Sequence, residues 1–358
     1  MEKPFLIFSL LLSIFVSAAS LDNAQAIFAF GDSIFDPGNN HYNKNCTAQA
    51  DFPPYGINFF HKPTGRFTNG RLVVDFIAQF MGLELQKPFM EALGEFSNGS
   101  IKSYPSNGIN FASAGSGVVR DTNADWVVTP IQDQLKQFQE LVLKNQIDKT
   151  TIPKSLFLFE SGSNDIFNYL LALQPPELNP TEFVQAMIAQ VGIFVDQIHK
   201  LGARRIAIFS LGPVGCIPAR MLLPEGRTDR CLGKMNRMIK DYNLGLETLV
   251  NDIPKKYPGA FAVYGAVYNI VQNFRAYPDR YAFLDATNAC CGDGPLRGLV
   301  QCGKEGYKLC SNPDRYLFWD YFHPSEHTYH LISKALWGGG QSQIRPINLK
   351  TLLNITSS

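Results

Sequence analysis

Five short apolar runs, each closed by glycine or small polar residues, recur between stretches of helical period. Ile27 to Phe30 reads IFAF and stops at Gly31, and Gly108 to Ala112 (GINFA) runs into the small-residue loop Ser113 to Gly117. Leu156 to Phe159 (LFLF) stops at Ser161-Gly162, Arg205 to Phe209 (RIAIF) at Leu211-Gly212-Pro213, and Phe261 to Tyr264 (FAVY) is the fifth. Runs this short and this apolar predict strands buried on both faces. Thr181 to Leu201 carries apolar residues at 183, 184, 187, 188, 191, 194, 195 and 198, a helical period, and Gly202 ends it. Met235 to Ile253 repeats the pattern. Buried strands alternating with amphipathic helices predict an α/β fold, a parallel sheet covered by helices on both faces. Such sheets carry their chemistry in loops at the carboxyl ends of the strands.

A chain of 358 residues, 45% hydrophobic and 18% charged, has apolar material for a large core. Lys plus Arg number 32 against 31 Asp plus Glu, and no basic run is interleaved with aromatics. That balance gives no field to attract nucleic acid. Lys3 precedes the apolar run Phe5 to Val16, and small residues follow it. This order predicts a signal peptide over residues 1–26, cut between about 19 and 26, leaving 27–358 as one domain. No later stretch reaches membrane-spanning length, so the expected protein is secreted and extracellular, in the cell wall or a vacuole, without stable membrane insertion.

Secretion makes the seven cysteines candidates for disulfides. Cys216 and Cys231 form one candidate pair. Cys290, Cys291, Cys302 and Cys310 form a cluster whose pairing stays open, and Cys46, far from the rest, is the candidate free thiol. No C-x-x-C pair supports zinc. Asn45, Asn98 and Asn354 begin sequons suited to N-glycosylation.

The strand ends hold the chemistry. Gly31-Asp32-Ser33 follows the first run, and a serine there can expose its hydroxyl at the sheet edge or cap the helix expected after it. Near the other end, Trp319-Asp320-Tyr321-Phe322-His323-Pro324 sets a carboxylate three residues before an imidazole. Pro324 suits the first position of a following helix, with His323 as its N-cap on a loop. From there Asp320 can hold Nδ1–H and leave Nε2 free to take a serine proton. His323, His327 and His330 also fall at helical spacing, a rival metal reading without an H-E-x-x-H arrangement. Candidate oxyanion donors are the Asn164 amide in Ser161-Gly162-Ser163-Asn164-Asp165 and a backbone N–H at Ala114-Gly115.

Four segments in this order, FGDSIFDPGNN (30–40), GINFASAGSG (108–117), GSNDIF (162–167) and FWDYFHPSEH (318–327), resemble the plant GDSL esterase/lipase family of the SGNH hydrolases. Lesser matches are PTGRFTNGR (63–71), SLGPVGCIP (210–218) and ACCGDGP (289–295). The resemblance implies a single flavodoxin-like α/β/α domain and an ester hydrolase acting on small-molecule or lipid esters. It implies Ser33 as nucleophile, Asp320 with His323 as base, and the Ser33 amide, Gly115 and Asn164 as oxyanion donors. It implies no metal or organic cofactor. Acyl transfer to an alcohol uses the same groups, and a non-catalytic ester- or glycan-binding protein is the alternative of a different class. The oligomeric state is left open. No G-x-S-x-G elbow is present, which sets the chain apart from the α/β-hydrolase lipases.

Overall fold

The computed structural model describes residues 25–355; all of the expected signal peptide except its last two residues lies outside them. Among the described residues eleven strands run in chain order: β1 Ile27–Gly31, β2 Lys87–Pro88, β3 Gly108–Asn110, β4 Leu156–Glu160, β5 Arg205–Phe209, β6 Phe261–Gly265, β7 Asp285–Ala289, β8 Cys291–Gly292, β9 Lys308–Leu309, β10 Tyr316–Phe318 and β11 Ile344–Arg345. Seven of them form the central sheet in the order β11-β6-β5-β4-β1-β3-β2. All its pairings are parallel except β11 with β6. The five runs read from the sequence are its five main strands. Counted alone in chain order, they lie 2-1-3-4-5, the flavodoxin-like arrangement. From β1 the chain moves outward to β2 and β3, then returns to the other side of β1 as β4. The reversal leaves a crevice at the carboxyl end of β1, which is where Ser33 falls.

Alternation along each strand divides the core in two. Phe28, Phe30, Phe157, Phe159, Ile206 and Ile208 pack under the helices Ile131–Leu143, Pro180–Lys200 and Gly233–Lys256. On the opposite face Ile27, Ala29, Leu156, Leu158, Ala207 and Phe209 meet Val73–Phe80, Val267–Ala276 and Glu326–Gly338. The result is a three-layer α/β/α sandwich. The helix Pro180–Lys200 begins where its sequence says it should. Asn179 accepts the amides of Thr181 and Glu182, Glu182 reaches back to the Asn179 amide, and Pro180 needs no partner for a missing N–H.

Three disulfides staple the loops: Cys216–Cys231, Cys290–Cys310 and Cys291–Cys302. The pairing inside the cluster, open in the sequence, is thereby fixed. The Cys216–Cys231 crosslink spans 15 residues, worth about 3 kcal/mol in the chain-entropy model. Cys46 is the free cysteine, and it is buried. Asn45, Asn98 and Asn354 are all exposed. Among the described residues no helix is long and apolar enough to cross a membrane.

Candidate active site

The nucleophile candidate sits on a tight turn that glycine makes possible. A Cβ on Gly31 would lie 2.2 Å from the Glu160 carbonyl oxygen, so no other residue fits between β1 and β4 there. The next residues do not enter a helix, contrary to the sequence expectation. The Asp32 carbonyl accepts the amides of Phe35 and Asp36, and the helix that follows is only Asn39–Tyr42. The cause is Pro37-Gly38, with Gly38 at φ +130°, together with the Asp36 carboxylate. That carboxylate takes the amides of Gly38, Asn39 and Ala114 at 2.6–2.9 Å, tying this loop to the one after β3. Ser33 is left half-buried on a turn with its hydroxyl facing His323.

His323 and Asp320 come from the loop after β10. Here too the structure corrects the sequence reading: the helix starts at Glu326, Ser325 is its N-cap, and Pro324 precedes both. Ser325 Oγ accepts the Thr328 amide, a stronger capping arrangement than histidine offers. His323 is positioned instead by Asp320, whose Oδ1 accepts the backbone amides of Phe322 (2.8 Å) and His323 (2.7 Å). The same carboxylate holds the ring, with His323 Nδ1 2.9 Å from Oδ1 and 3.0 Å from Oδ2. This network assigns the proton to Nδ1 and leaves Nε2 as acceptor. Nε2 lies 2.9 Å from Ser33 Oγ. Asp320 is fully buried and His323 is 8% exposed.

Further supports come from distant segments: Tyr55 gave no signal in the sequence, and residues 63–71 gave only the lesser family match. The Tyr55 hydroxyl donates to Asp320 Oδ2 at 2.6 Å from a segment 265 residues away. The Phe67 ring lies 4.9 Å from that of His323. Thr68 Oγ1 donates to the Pro324 carbonyl, and Asn69 Oδ1 accepts the Glu326 amide, so the 63–71 segment braces the histidine loop.

Asn164, in the first turn of the helix Ser163–Leu171, donates from Nδ2 to the Ser116 carbonyl at 2.9 Å and lies 3.3 Å from Asp32 Oδ2. Gly115 takes φ +84°, a left-handed conformation that favours glycine. Neither the Ser33 nor the Gly115 amide has an acceptor among the described residues. Ser33, Asn164 and His323 line one cavity of about 110 Å³, walled by Phe35, Phe209, Val267 and Ile332. Gly115 is not part of that lining but belongs to the adjoining loop. The three histidines do not converge: His327 Nε2 bonds the Tyr281 carbonyl and His330 packs on Phe76. Among the described residues no group of three or more His, Cys, Asp or Glu is arranged to hold a metal ion.

Burial alone raises the Asp320 carboxyl, but the His323 charge and ring, the Tyr55 hydroxyl and the Phe322 amide together carry it below the ordinary value. Asp32 goes the other way. Burial pushes it up to about 6, against the pull of the Ile34 amide, Ser163, Glu160 and His323. A raised folded value adds stability that is complete below the ordinary carboxyl range and lost as pH climbs through 6. His199 and His330, held below the ordinary imidazole value first of all by burial, act in the opposite direction as pH falls. The Asp32 contribution is therefore isolated by difference. The stability of the parent relative to Asp32→Asn should be greater at pH 5 than at pH 7, measured by denaturant titration at both. A gap that is constant, or larger at pH 7, would contradict the assignment.

A GDSL-like lipase/acylhydrolase family model matches residues 27–336. The chain is 63% identical to GDSL esterase/lipase 6 of Arabidopsis thaliana, over 96% of this chain and 94% of that protein. It is 34% identical to GDSL esterase/lipase 5 of the same plant, over 93% of this chain and 89% of that protein. It is 31% identical to a GDSL lipase of Tanacetum cinerariifolium, over 96% and 92%. With a mostly parallel α/β sheet, a serine beside an imidazole at the expected strand end, and relatives matching over nearly their whole length, the chain belongs to the GDSL esterase/lipase family and is a carboxylic ester hydrolase.

Proposed function

We propose that this esterase works through a Ser33–His323–Asp320 triad and an acyl-enzyme, as a secreted protein whose mature domain starts near residue 27. The observation that carries the reading is the unbroken relay from Asp320 through His323 Nδ1 and Nε2 to Ser33 Oγ, each step 2.9–3.0 Å. Ser33 attacks the ester carbonyl while Nε2 takes its proton. The oxyanion forms against the Ser33 and Gly115 amides, which have no acceptor among the described residues, and against Asn164 Nδ2 as its long 3.3 Å contact with Asp32 gives way. His323 then protonates the leaving alcohol, and water cleaves the acyl group from Ser33. The apolar walls of the cavity favour a small-molecule or lipid ester with an apolar acyl group. Three disulfides and three exposed sequon asparagines suit a secreted, glycosylated chain.

The test is a panel of short-chain, long-chain and phenolic esters given to purified protein, products identified by mass, with and without chelator. The expected result is release of acid and alcohol from apolar esters at a rate that chelator leaves unchanged. Loss of activity in chelator with recovery on added zinc, or no ester turned over at all, would overturn the reading.

A further inference from the structure

The loop that carries Gly115 lies against a tryptophan that the triad does not use. Trp126 ends the short 3₁₀ turn Ala124–Trp126, and Val127 follows it. A Cβ placed on Gly115 would lie 3.2 Å from Trp126 Cε3 and 3.2 Å from Val128 Cγ1. The benzo edge of the indole therefore borders the glycine whose amide faces the oxyanion. Yet this indole is not sealed into the core. Trp126 is 42% exposed, and Val127 beside it is 46% exposed. So much apolar surface left in water forgoes the burial that a core position would supply.

The backbone is strained to hold the ring there. Val127 sits at φ +57° and ψ +39°, a left-handed conformation in which a β-branched residue is an outlier, and Asn123 at φ +51° opens the same turn. Such strain persists only where the surroundings over-determine the chain. Here the Asn43 side-chain amide donates to the Val127 carbonyl at 2.9 Å, and the Thr47 amide donates to the Trp126 carbonyl at 3.1 Å. Asn123 Nδ2 donates to the Gly115 carbonyl at 2.8 Å, and the Thr129 amide donates to Ser113 Oγ at 3.0 Å. Two distant stretches, 43–47 and 113–115, thus fix one exposed indole beside the oxyanion glycine.

Position decides what this ring can touch. An ester whose carbonyl oxygen rests on the Ser33 and Gly115 amides has two arms. The apolar cavity takes the acyl arm, and Gly115 stands outside that lining, so the alcohol arm passes on the Gly115 side, where the indole is. Aromatic pairs gain more than the area they bury, an advantage that a saturated ring of the same size lacks. We propose that Trp126 is a specificity-determining residue of this esterase: its indole stacks on an aromatic ring in the alcohol half of the substrate, which makes esters of arylalkyl alcohols the favoured class. The proposal rests on the triad and oxyanion reading above.

The test compares benzyl and cyclohexylmethyl esters of one apolar acid, each rate divided by that ester's hydroxide hydrolysis rate. The parent should favour the benzyl ester in kcat/KM by about threefold to tenfold. Trp126→Phe should keep most of that preference. Trp126→Leu, which leaves apolar bulk against Gly115, should bring the ratio close to one. Benzyl alcohol should inhibit the parent more strongly than cyclohexylmethanol does, and the difference should vanish in Trp126→Leu. A parent without the preference overturns the proposal. So does a Trp126→Leu enzyme that turns over both esters more slowly at the parental ratio, the result of an indole that only braces Gly115. If Trp126→Leu does not fold, the parental ratio and the inhibition by the two alcohols decide. Ser33→Ala assayed in parallel separates the two readings: retained activity there overturns the triad, whereas an unchanged ratio beside an inactive Ser33→Ala overturns only the role of Trp126.

Discussion

Ser33→Ala should lose ester turnover by a factor on the order of 10⁴ or more while melting as the parent does. The hydroxyl is half-buried on a turn whose backbone is held by Asp32 and by Gly31, not by the serine side chain. Removing it deletes the proposed nucleophile and one hydrogen bond to His323, with no cavity opened in either half of the core. Surface changes of this kind shift stability by about 0.5 kcal/mol or less. Steady-state assays and a thermal melt on the same preparation check both halves. Activity within a few-fold of the parent, with an unchanged melt, would remove Ser33 from the mechanism.

Removing the base should be equally severe, and weakening its orientation somewhat less so. His323→Ala takes away the one group among the described residues within hydrogen-bond reach of Ser33 Oγ that can accept its proton, for a loss on the order of 10⁴-fold or more. Asp320→Asn keeps the size of the side chain but replaces an acceptor that serves four donors: the amides of Phe322 and His323, the ring Nδ1 and the Tyr55 hydroxyl. A carboxamide can accept on one side only. If its NH₂ group faces the imidazole, Nδ1 must become an acceptor, and the proton moves to Nε2, where it points at Ser33 and blocks proton transfer. The expected loss is about 10²- to 10⁴-fold, with slow acylation by a highly activated ester surviving because Ser33 and the oxyanion donors remain. An Asp320→Asn enzyme of parental kcat would mean that the carboxylate neither orients nor stabilises the imidazole.

The frame of this site was legible in the sequence because both of its determinants are local. A mostly apolar run of four or five residues closed by glycine or small polar residues leaves little but a buried parallel strand, and all five such runs are strands of the central sheet. The spacing from Asp320 to His323 sets a turn in which the carboxylate reaches both the backbone and the ring of the histidine. Local reasoning misplaced the helix starts. Pro324 suits a first helical position, but Ser325 supplies the better cap, and Pro37-Gly38 stops the helix expected after Ser33. Contacts between distant segments left no trace. Tyr55 meets Asp320 only because the fold closes a gap of 265 residues, and Glu160 comes beside Gly31 only through the register of β1 against β4. The cysteine cluster behaved likewise: spacing admitted several pairings, and the antiparallel pair β8 and β9 brings Cys291 opposite Leu309 while Cys290 bonds to Cys310.

The central claim is a covalent acyl group on Ser33, and mass spectrometry of the trapped enzyme tests it most directly. Protein mixed with a slowly released activated ester is quenched in acid, digested and mapped. The account predicts one acyl group, carried by the peptide that contains Ser33, absent from Ser33→Ala and accumulating faster than it is lost. Turnover that continues with no acylated peptide, or an acyl group carried by another residue in the parent enzyme, would contradict it.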